Sequence, residues 1–444
     1  MAPSSCCLRW VCWATSCGSD KSSRRFAWIG STAKRNRISS PRILGRSSFP
    51  YTSRILAVRV RQCRQIPVRV AQLQLANFRN YRRLTLDVPP GPSVIVGGNG
   101  QGKTNLLDAL HILASTQSVR PGPEASWVRF DAPAAEGFAR LRAEVVSPSG
   151  VSEVEMIVAR TRPDDGESSG VRRRARIDGV LTRLADLPGR LLAVSFAPSD
   201  LNLWTGSPSG RRRWLDVAVA QVDPTYTAHL ATYEGLLTRR NALLRRLQGG
   251  LGRHSELEFW DDRVSEPAVE VTRARAGYVA RVRAPVSAGF LAMQGGGRLD
   301  LAYRATGLGL DAQGFRMALQ QRRNRDIQRG ASGLGPHRDD LEARLDGRPL
   351  AHVGSRGQLR LAALALKLGQ HDVAHEQRNE RPVLLLDDIA AELDPEHRRM
   401  LIDRLPGDAQ ALVTTADPDL FDETALRHAA RYQVVAGEID LICG

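Results

Sequence analysis

The sequence predicts an α/β protein: a mixed sheet, part antiparallel hairpin and part parallel core, interrupted by an inserted, mostly helical second lobe. Three observations lead there. A glycine-rich loop, Gly97 to Thr104, follows an apolar strand and opens a helix. A second apolar strand begins at Pro382 and ends in two acids, Asp387 and Asp388. Lys103 and Asp387 stand 284 positions apart, and from about Asp200 to Arg329 the residues between them repeat at three and four. The expected layout has residues 1–67 disordered or untranslated and 68–200 forming the first part of a phosphate-binding head. Residues 201–329 form the helical lobe, and 330–444 return to complete the head.

Residues 1–67 are set apart by composition. Of the chain's 444 residues and net charge of +16, this segment holds 13 Lys and Arg against one acid, Asp20, and so carries +12. The rest carries only +4, so the overall charge is no argument for nucleic-acid binding by the folded part. Five of six cysteines, Cys6, Cys7, Cys12, Cys17 and Cys63, fall in the same segment, with Cys443 the sixth. No zinc-site spacing and no disulfide framework emerge, which fits a reducing cytosol. No run of 18 apolar residues is present to span a membrane. Ordered sequence begins abruptly at Val68, and a valine start codon at Val68 or Val70 is the expectation. The alternatives are a basic tail that binds nucleic acid or a targeting segment.

Val70, Gln72-Leu73 and Leu75 alternate as a strand, Asn77-Phe78-Arg79-Asn80-Tyr81 turns back, and Leu84, Leu86 and Val88 alternate again. This reads as an antiparallel hairpin. Ser93 to Val96 is a short buried strand, and Leu106, Leu107, Leu110 and Leu113 space a helix over Asn105–Ser115. Strands are expected at Ala139–Val146 and Val154–Arg160, a polar loop from Asp164 to Gly170, then a basic patch at Arg172, Arg173, Arg174 and Arg176. Helical spacing follows through Tyr233, Leu236, Leu237, Leu243, Leu244 and Leu247, broken by Gly249-Gly250 and Gly295-Gly296-Gly297. Strands and helices resume from Leu341.

Gly97-Gly98-Asn99-Gly100-Gln101-Gly102-Lys103-Thr104 has the spacing of a phosphate-binding loop. Glycines let backbone N–H groups converge on phosphate oxygens, and the following helix points its positive end at the anion. Lys103 is expected to reach the β- and γ-phosphates, and the Thr104 hydroxyl to ligate Mg²⁺. The bland alternative is a glycine turn before a helix, and the strand–loop–helix context argues against it. The run Pro382 to Leu386 is a buried parallel strand whose carboxyl end presents acids, where open α/β sheets place ligands. Asp387 is the expected Mg²⁺ partner, and Asp388 could orient or deprotonate an attacking water.

Ser355-Arg356-Gly357-Gln358-Leu359-Arg360 precedes a leucine-spaced helix, and Ala391-Glu392-Leu393-Asp394 follows the acids. Alone, the first is a helix cap. In this order the two resemble the signature motif and D-loop of the ABC ATPases, which include the SMC chromosome proteins. Finer details are Asn77 to Tyr81, Gly100 through Asn105 to Ala109, Phe196-Ala197-Pro198-Ser199-Asp200-Leu201, Arg212-Arg213-Trp214-Leu215-Asp216 and Gly335-Pro336-His337-Arg338-Asp339-Asp340. Together with Leu385 to Asp388 they resemble the RecF family of bacterial DNA replication and repair proteins, from about Val68 to the end.

The resemblance implies an ABC-type P-loop ATPase head that binds ATP and Mg²⁺ and hydrolyses ATP weakly, as a switch. Gly97, Gly98, Asn99, Gly100, Gln101, Gly102, Lys103, Thr104 and Asn105 would hold the nucleotide, and Lys103 and Asp388 would serve hydrolysis. Ser355, Gly357 and Gln358 would touch ATP held by a second copy in a symmetric dimer. It further implies a cytoplasmic protein that clamps DNA, duplex next to single-stranded gaps, with partners RecR and RecO that help load a recombinase. Arg172, Arg173, Arg174, Arg211, Arg212, Arg239, Arg240, Arg245 and Arg246 are candidates to face DNA, or else solvated arginines. The turn at Gly335–Asp340 is expected to be structural and near the nucleotide. Two departures stand out: Asp388 replaces the usual Glu, and Thr414-Thr415-Ala416-Asp417 lacks a switch histidine, leaving hydroxyls or another group to sense the γ-phosphate. An SMC-type head would need hundreds of residues of heptads between its halves. A transporter ATPase subunit would keep the Glu and the histidine and lack the hairpin at Asn77–Tyr81.

Overall fold

The computed structural model describes residues 67–120, 122–132, 137–161, 170–294, 296–403, 409–417 and 429–443. The segment before Pro67 and the expected polar loop over 164–169 lie outside them. The described chain begins with strands β1 (Arg69–Phe78), β2 (Tyr81–Asp87) and β3 (Pro92–Val96), then helix α1 (Lys103–Ser115). Strands β4 (Phe138–Ser147), β5 (Gly150–Arg160), β6 (Val171–Ile177), β7 (Val180–Thr182) and β8 (Ala193–Phe196) follow. The middle holds helices α2 (Pro208–Val222), α3 (Tyr226–Gln248) and α4 (Glu256–Gln294), strand β9 (Leu299–Arg304) and helix α5 (Ala312–Arg329). Next come β10 (Asp340–Leu345), β11 (Arg348–Pro349), α6 (Leu350–Val353), α7 (Arg356–Arg378) and β12 (Val383–Asp387). The last elements are α8 (Ile389–Glu392), α9 (Pro395–Asp403), β13 (Ala411–Thr415), β14 (Ala430–Val435) and β15 (Glu438–Cys443).

Two six-stranded sheets build the head. One is antiparallel, in the order β2-β1-β4-β5-β6-β7. Its strands alternate: Leu73, Leu75, Leu141, Ala143, Val154, Met156 and Val158 are buried, while their neighbours in sequence are more exposed, apart from Glu155, which is buried under Arg140 and Arg176. The other runs β15-β14-β3-β13-β12-β8, parallel except for β15. Its central strands β12 and β13 are buried at every position, as expected of strands covered on both faces. Helix α1 packs on strands of both sheets, so it is buried almost all round, from Leu106 to Ser115.

A second core joins α2, α4 and α7 to β8, β12 and the β9–β10 pair. Its spine is α4, 39 residues long, which runs through Pro267 and Pro285. Each proline removes one helical hydrogen bond and reads in sequence as a breaker. The buried row Val264, Ala268, Val271, Val279, Val282, Val286 and Phe290 holds the helix together across both. Within the stretch read as helical, residues Leu299 to Arg304 are instead a strand, β9, paired antiparallel with β10 from Leu299↔Leu345 to Asp340↔Arg304. Leu299 and Leu301 point inward, and a six-residue strand whose partner lies some 40 positions on carries little local signal.

Candidate nucleotide site

The phosphate loop leaves the carboxyl end of β3, between β13 and β14, and feeds α1. Its ends are crowded. A Cβ on Gly97 would lie 2.5 Å from the Val434 carbonyl oxygen, and one on Gly102, where φ is +122°, would lie 2.4 Å from Asn80 Nδ2. Only glycine fits either position. Gly98, Asn99 and Gly100 form the exposed lip between them.

Two hairpins clasp this loop. From the β1–β2 turn, Asn80 Nδ2 donates to the Gln101 carbonyl (2.9 Å) and Tyr81 OH to the Gly102 carbonyl (3.0 Å). Asn105 Nδ2 in turn donates to Asn80 Oδ1 (2.7 Å). From the β14–β15 turn, Gly437 N donates to the Gln101 carbonyl (3.1 Å) and Ala436 N to Gln101 Oε1 (2.6 Å). The run Asn77–Tyr81 is therefore more than a turn: it braces the loop. Arg79 extends the brace by pairing with Asp108, which also accepts from Ser118 Oγ and Val119 N. Burial pushes the Asp108 carboxyl up, against the pull of Arg79.

Lys103 is buried, and its Nζ donates to the carbonyls of Gly97 (2.7 Å) and Gly98 (3.0 Å) across the loop. Thr104 Oγ1 donates to Asp387 Oδ1 at 2.9 Å, which joins the two distant halves of the chain. The same oxygen accepts from Thr414 Oγ1 at 2.8 Å. Burial raises the Asp387 pKa, while the hydrogen bonds from Thr414 and Thr104 and the nearby Arg120 charge pull it back. Arg120 Nη1 donates to Asn105 Oδ1 (3.0 Å), so it too stands at this site, and no sequence pattern marked it. Asp388 is half-buried in a left-handed conformation, φ +49°, with its N–H on the Thr414 carbonyl and hydroxyl.

The structure gathers Gly97 through Asn105, Asp387 and Asp388 in one place. Among the described residues, no hydrogen bond joins Ser355, Gly357 or Gln358 to them. Ser355 caps α7: its Oγ accepts from Gln358 N (3.2 Å), and its N–H donates to Gln358 Oε1 (2.9 Å). Ser355 and Gly357 are exposed at the start of that helix. Arg360, one turn on, pairs with Glu392 Oε2 (3.1 Å) and donates to its carbonyl (3.2 Å), which ties the cap to the segment after the acids.

The nine arginines named as DNA-facing divide sharply. Arg240 is fully buried and pairs with Asp261 (2.8 Å) and Asp326 (2.9 Å). Arg211 is buried against Asp340, which it holds with two hydrogen bonds of 2.7 and 3.0 Å. These two are interior struts and cannot face DNA. Arg212 is half-buried and donates to the Asp339 carbonyl (2.8 Å). Arg173 turns toward the core side of β6, donating to the Thr116 carbonyl (3.0 Å) and pairing with Glu124 (2.9 Å). Arg172, Arg174, Arg239, Arg245 and Arg246 are exposed.

The turn at Gly335–Asp340 is structural, and its hydrogen-bond partners among the described residues include the helical lobe and β9 but not the phosphate loop. Arg275 donates to the Pro336 carbonyl (2.8 Å) and Tyr303 OH to Asp339 (2.5 Å). Tyr233 OH meets His337 Nδ1 at 2.5 Å, and His337 Nε2 meets the Ser332 carbonyl at 3.0 Å. Burial holds the His337 imidazole below its usual pKa. A neutral ring that donates from Nε2 and accepts at Nδ1 satisfies both contacts.

Residues 69–436 match the family model described as the RecF/RecN/SMC N terminal domain. The DNA replication and repair protein RecF of Roseiflexus castenholzii is 38% identical over 390 residues, covering 83% of this chain and 99% of that protein. RecF of Bacillus subtilis is 32% identical over 381 residues, with the same coverage. Among solved structures, the recombination mediator protein RecF with ATP matches at a TM-score of 0.76 and 24% identity, covering 86% of this chain and all of that one. Its ATPrS form matches at 0.75 and 25%, covering 85% and 99%. The fold is that of an ABC-type ATPase head, and the chain belongs to the RecF family of DNA replication and repair proteins.

Proposed function

We propose that this chain is an ATP-driven switch of recombinational repair and replication restart: ATP joins two copies into a clamp on DNA, and slow hydrolysis opens it. The observation that carries the reading is the hydrogen bond between Thr104 and Asp387, 283 residues apart, beside a phosphate loop, while Ser355 stands exposed and its cap bonds with Gln358 rather than with that loop. A site with one half assembled and its signature cap turned outward suits completion by a second copy. Lys103 holds the β- and γ-phosphates, and Asp388 orients the attacking water. Thr104 and Asp387 offer two hard oxygens, which suit Mg²⁺, an ion that otherwise takes phosphate oxygens and water. The bound ion would neutralise phosphate charge.

The ligand of the clamp is DNA, with RecR and RecO as partners in loading a recombinase, and the setting is the cytoplasm. RecF with ATP in the RecFOR pathway supports this through family membership. A surface feature supports it as well. On the outer face of the antiparallel sheet, Arg83, Arg140 and Arg174 share one register line across β2, β4 and β6, with Ala76 and Ile157 between them. Arg172 and Arg176 flank Arg174 on that face. Arg140 and Arg176 share Glu155 on that face, and the excess of arginine over acid along the row suits phosphates read without sequence.

The test is dimerisation. Ser355→Arg should leave ATP binding by the monomer intact and block ATP-dependent dimerisation and DNA binding. Mixed with Lys103→Ala, it should regain partial dimerisation, because one composite site of the heterodimer is then whole. Light scattering with a slowly hydrolysed ATP analogue reads this out. Normal dimerisation of Ser355→Arg would remove the signature cap from the interface and the clamp with it.

A further inference from the structure

Where the wider ABC pattern carries a switch histidine, this chain has Thr414 and Thr415, and the structure gives the two hydroxyls different jobs. Thr415 is spent locally: its Oγ1 donates to the Asp417 carbonyl (2.8 Å) and accepts from Asp417 N (3.1 Å). Thr414 is fully buried on β13, in register with Asp387 on β12. Its hydroxyl donates to Asp387 Oδ1 at 2.8 Å and accepts from the Asp388 N–H at 3.1 Å. Its carbonyl accepts from that same N–H at 3.1 Å.

We propose that Thr414 is the positioning residue for both acids of the site, a latch on Asp387 and Asp388 rather than a sensor of the γ-phosphate. One hydroxyl has a single hydrogen and two lone pairs. Giving the hydrogen to Asp387 and a lone pair to Asp388 uses the group on these two neighbours. The two hydroxyls that reach Asp387 Oδ1 come from different elements, Thr104 from α1 and Thr414 from β13. The carboxylate is therefore fixed relative to both the phosphate loop and the neighbouring strand. Asp388 needs holding for another reason. Its left-handed backbone is one that non-glycine residues adopt sparingly, and the bifurcated hydrogen bond to Thr414 stabilises it. The direction in which its side chain leaves the strand follows from that backbone. With its one hydrogen given to Asp387, the Thr414 hydroxyl has none left to donate to a phosphate.

This inference rests on the reading that Asp387 serves Mg²⁺ and Asp388 serves hydrolysis, so the experiment separates the two. Thr414→Val keeps shape and β-branching and deletes the hydroxyl, Thr414→Ser keeps the hydroxyl, and Asp387→Asn tests the acid itself. Each full-length variant is assayed for melting temperature, affinity for a fluorescent ATP analogue, kcat, and the Mg²⁺ concentration giving half-maximal hydrolysis. Thr414→Val should bind ATP within about threefold of the parent, lose about tenfold in kcat and need several-fold more Mg²⁺, as expected for a lost hydrogen bond to a charged group. Thr414→Ser should return kcat to within about threefold of the parent. Parental kcat and Mg²⁺ dependence in Thr414→Val would overturn the latch. So would equal losses in the Ser and Val variants, which would mark a packing position. Should Thr414→Val not fold, Thr414→Ala is read in its place. If neither folds while Thr414→Ser does, the hydroxyl serves the fold and the proposal is overturned. If Asp387→Asn keeps the parental Mg²⁺ dependence, the reading of the site fails first. If it loses that dependence and Thr414→Val does not, only the latch fails.

Discussion

At Lys103 and Asp388 the same loop and strand face different tasks, and single substitutions should separate them. Lys103 reaches across the phosphate loop to two of its carbonyls, so its ammonium is placed where phosphate oxygens would otherwise meet only backbone. Lys103→Ala removes that charge and should weaken ATP binding by at least about tenfold, from the loss of a charge-assisted contact. Asp388→Asn keeps the size of the side chain and removes its basicity. It should bind ATP nearly as the parent does and hydrolyse it more slowly. Anisotropy of a labelled ATP together with phosphate release measures both, and equal loss of binding in the two variants would contradict the role given to Asp388. The pattern of residues singled out Lys103, Thr104 and Asp387, and the structure brings Thr104 and Asp387 together. The contacts of Asn80, Tyr81, Arg120 and Thr414 were not legible in sequence, because each acts on the site from a separate part of the chain.

Among elements, α3 shows why a basic run in sequence is ambiguous. Arg239 and Arg240 are neighbours, yet the helical turn sends one to solvent and the other into the core between α4 and α5. Replacing Arg240 by Met would leave Asp326 without its ion-pair partner in the interior, and Asp261 with only Arg323, which it meets at 2.7 Å. The expected loss is about 3 kcal/mol of stability, since breaking a buried ion pair strands charge. Calorimetry should show a melting temperature lower by several degrees. Arg174→Ala lies on the exposed sheet face and should melt as the parent does. It should reduce the salt dependence of DNA binding by about one phosphate contact. A stable Arg240→Met protein that had lost DNA binding would reverse this assignment. Alternation made the β1–β2 hairpin, β4 and β5 readable ahead of the structure, as the leucine spacing did for α1. It could not reveal β9, or that α4 continues through two prolines, since both depend on packing partners elsewhere in the chain.

For the whole molecule, similarity to the Roseiflexus and Bacillus RecF proteins covers 83% of this chain and 99% of theirs, and the family match begins at residue 69. A chain starting at Val68 should therefore express in soluble form and bind ATP as the full chain does. Loss of ATP binding on removing residues 1–67 would give that segment a role in the fold. The sequence by itself determined the α/β class, the phosphate loop, the acidic strand and the family, because each is written in local patterns: residue spacing, apolar runs and short motifs. The tertiary structure alone decided which arginines are struts, that the Asn77–Tyr81 turn and the Ala436–Gly437 turn clasp the loop, and that the Gly335–Asp340 turn belongs to the helical lobe. It also decided that Thr414 turns inward to the acids. The physical reason is common to all of these. A hydrogen bond or ion pair between residues hundreds of positions apart depends on where two sheets and a helix bring their side chains, and that placement follows from burying both cores at once.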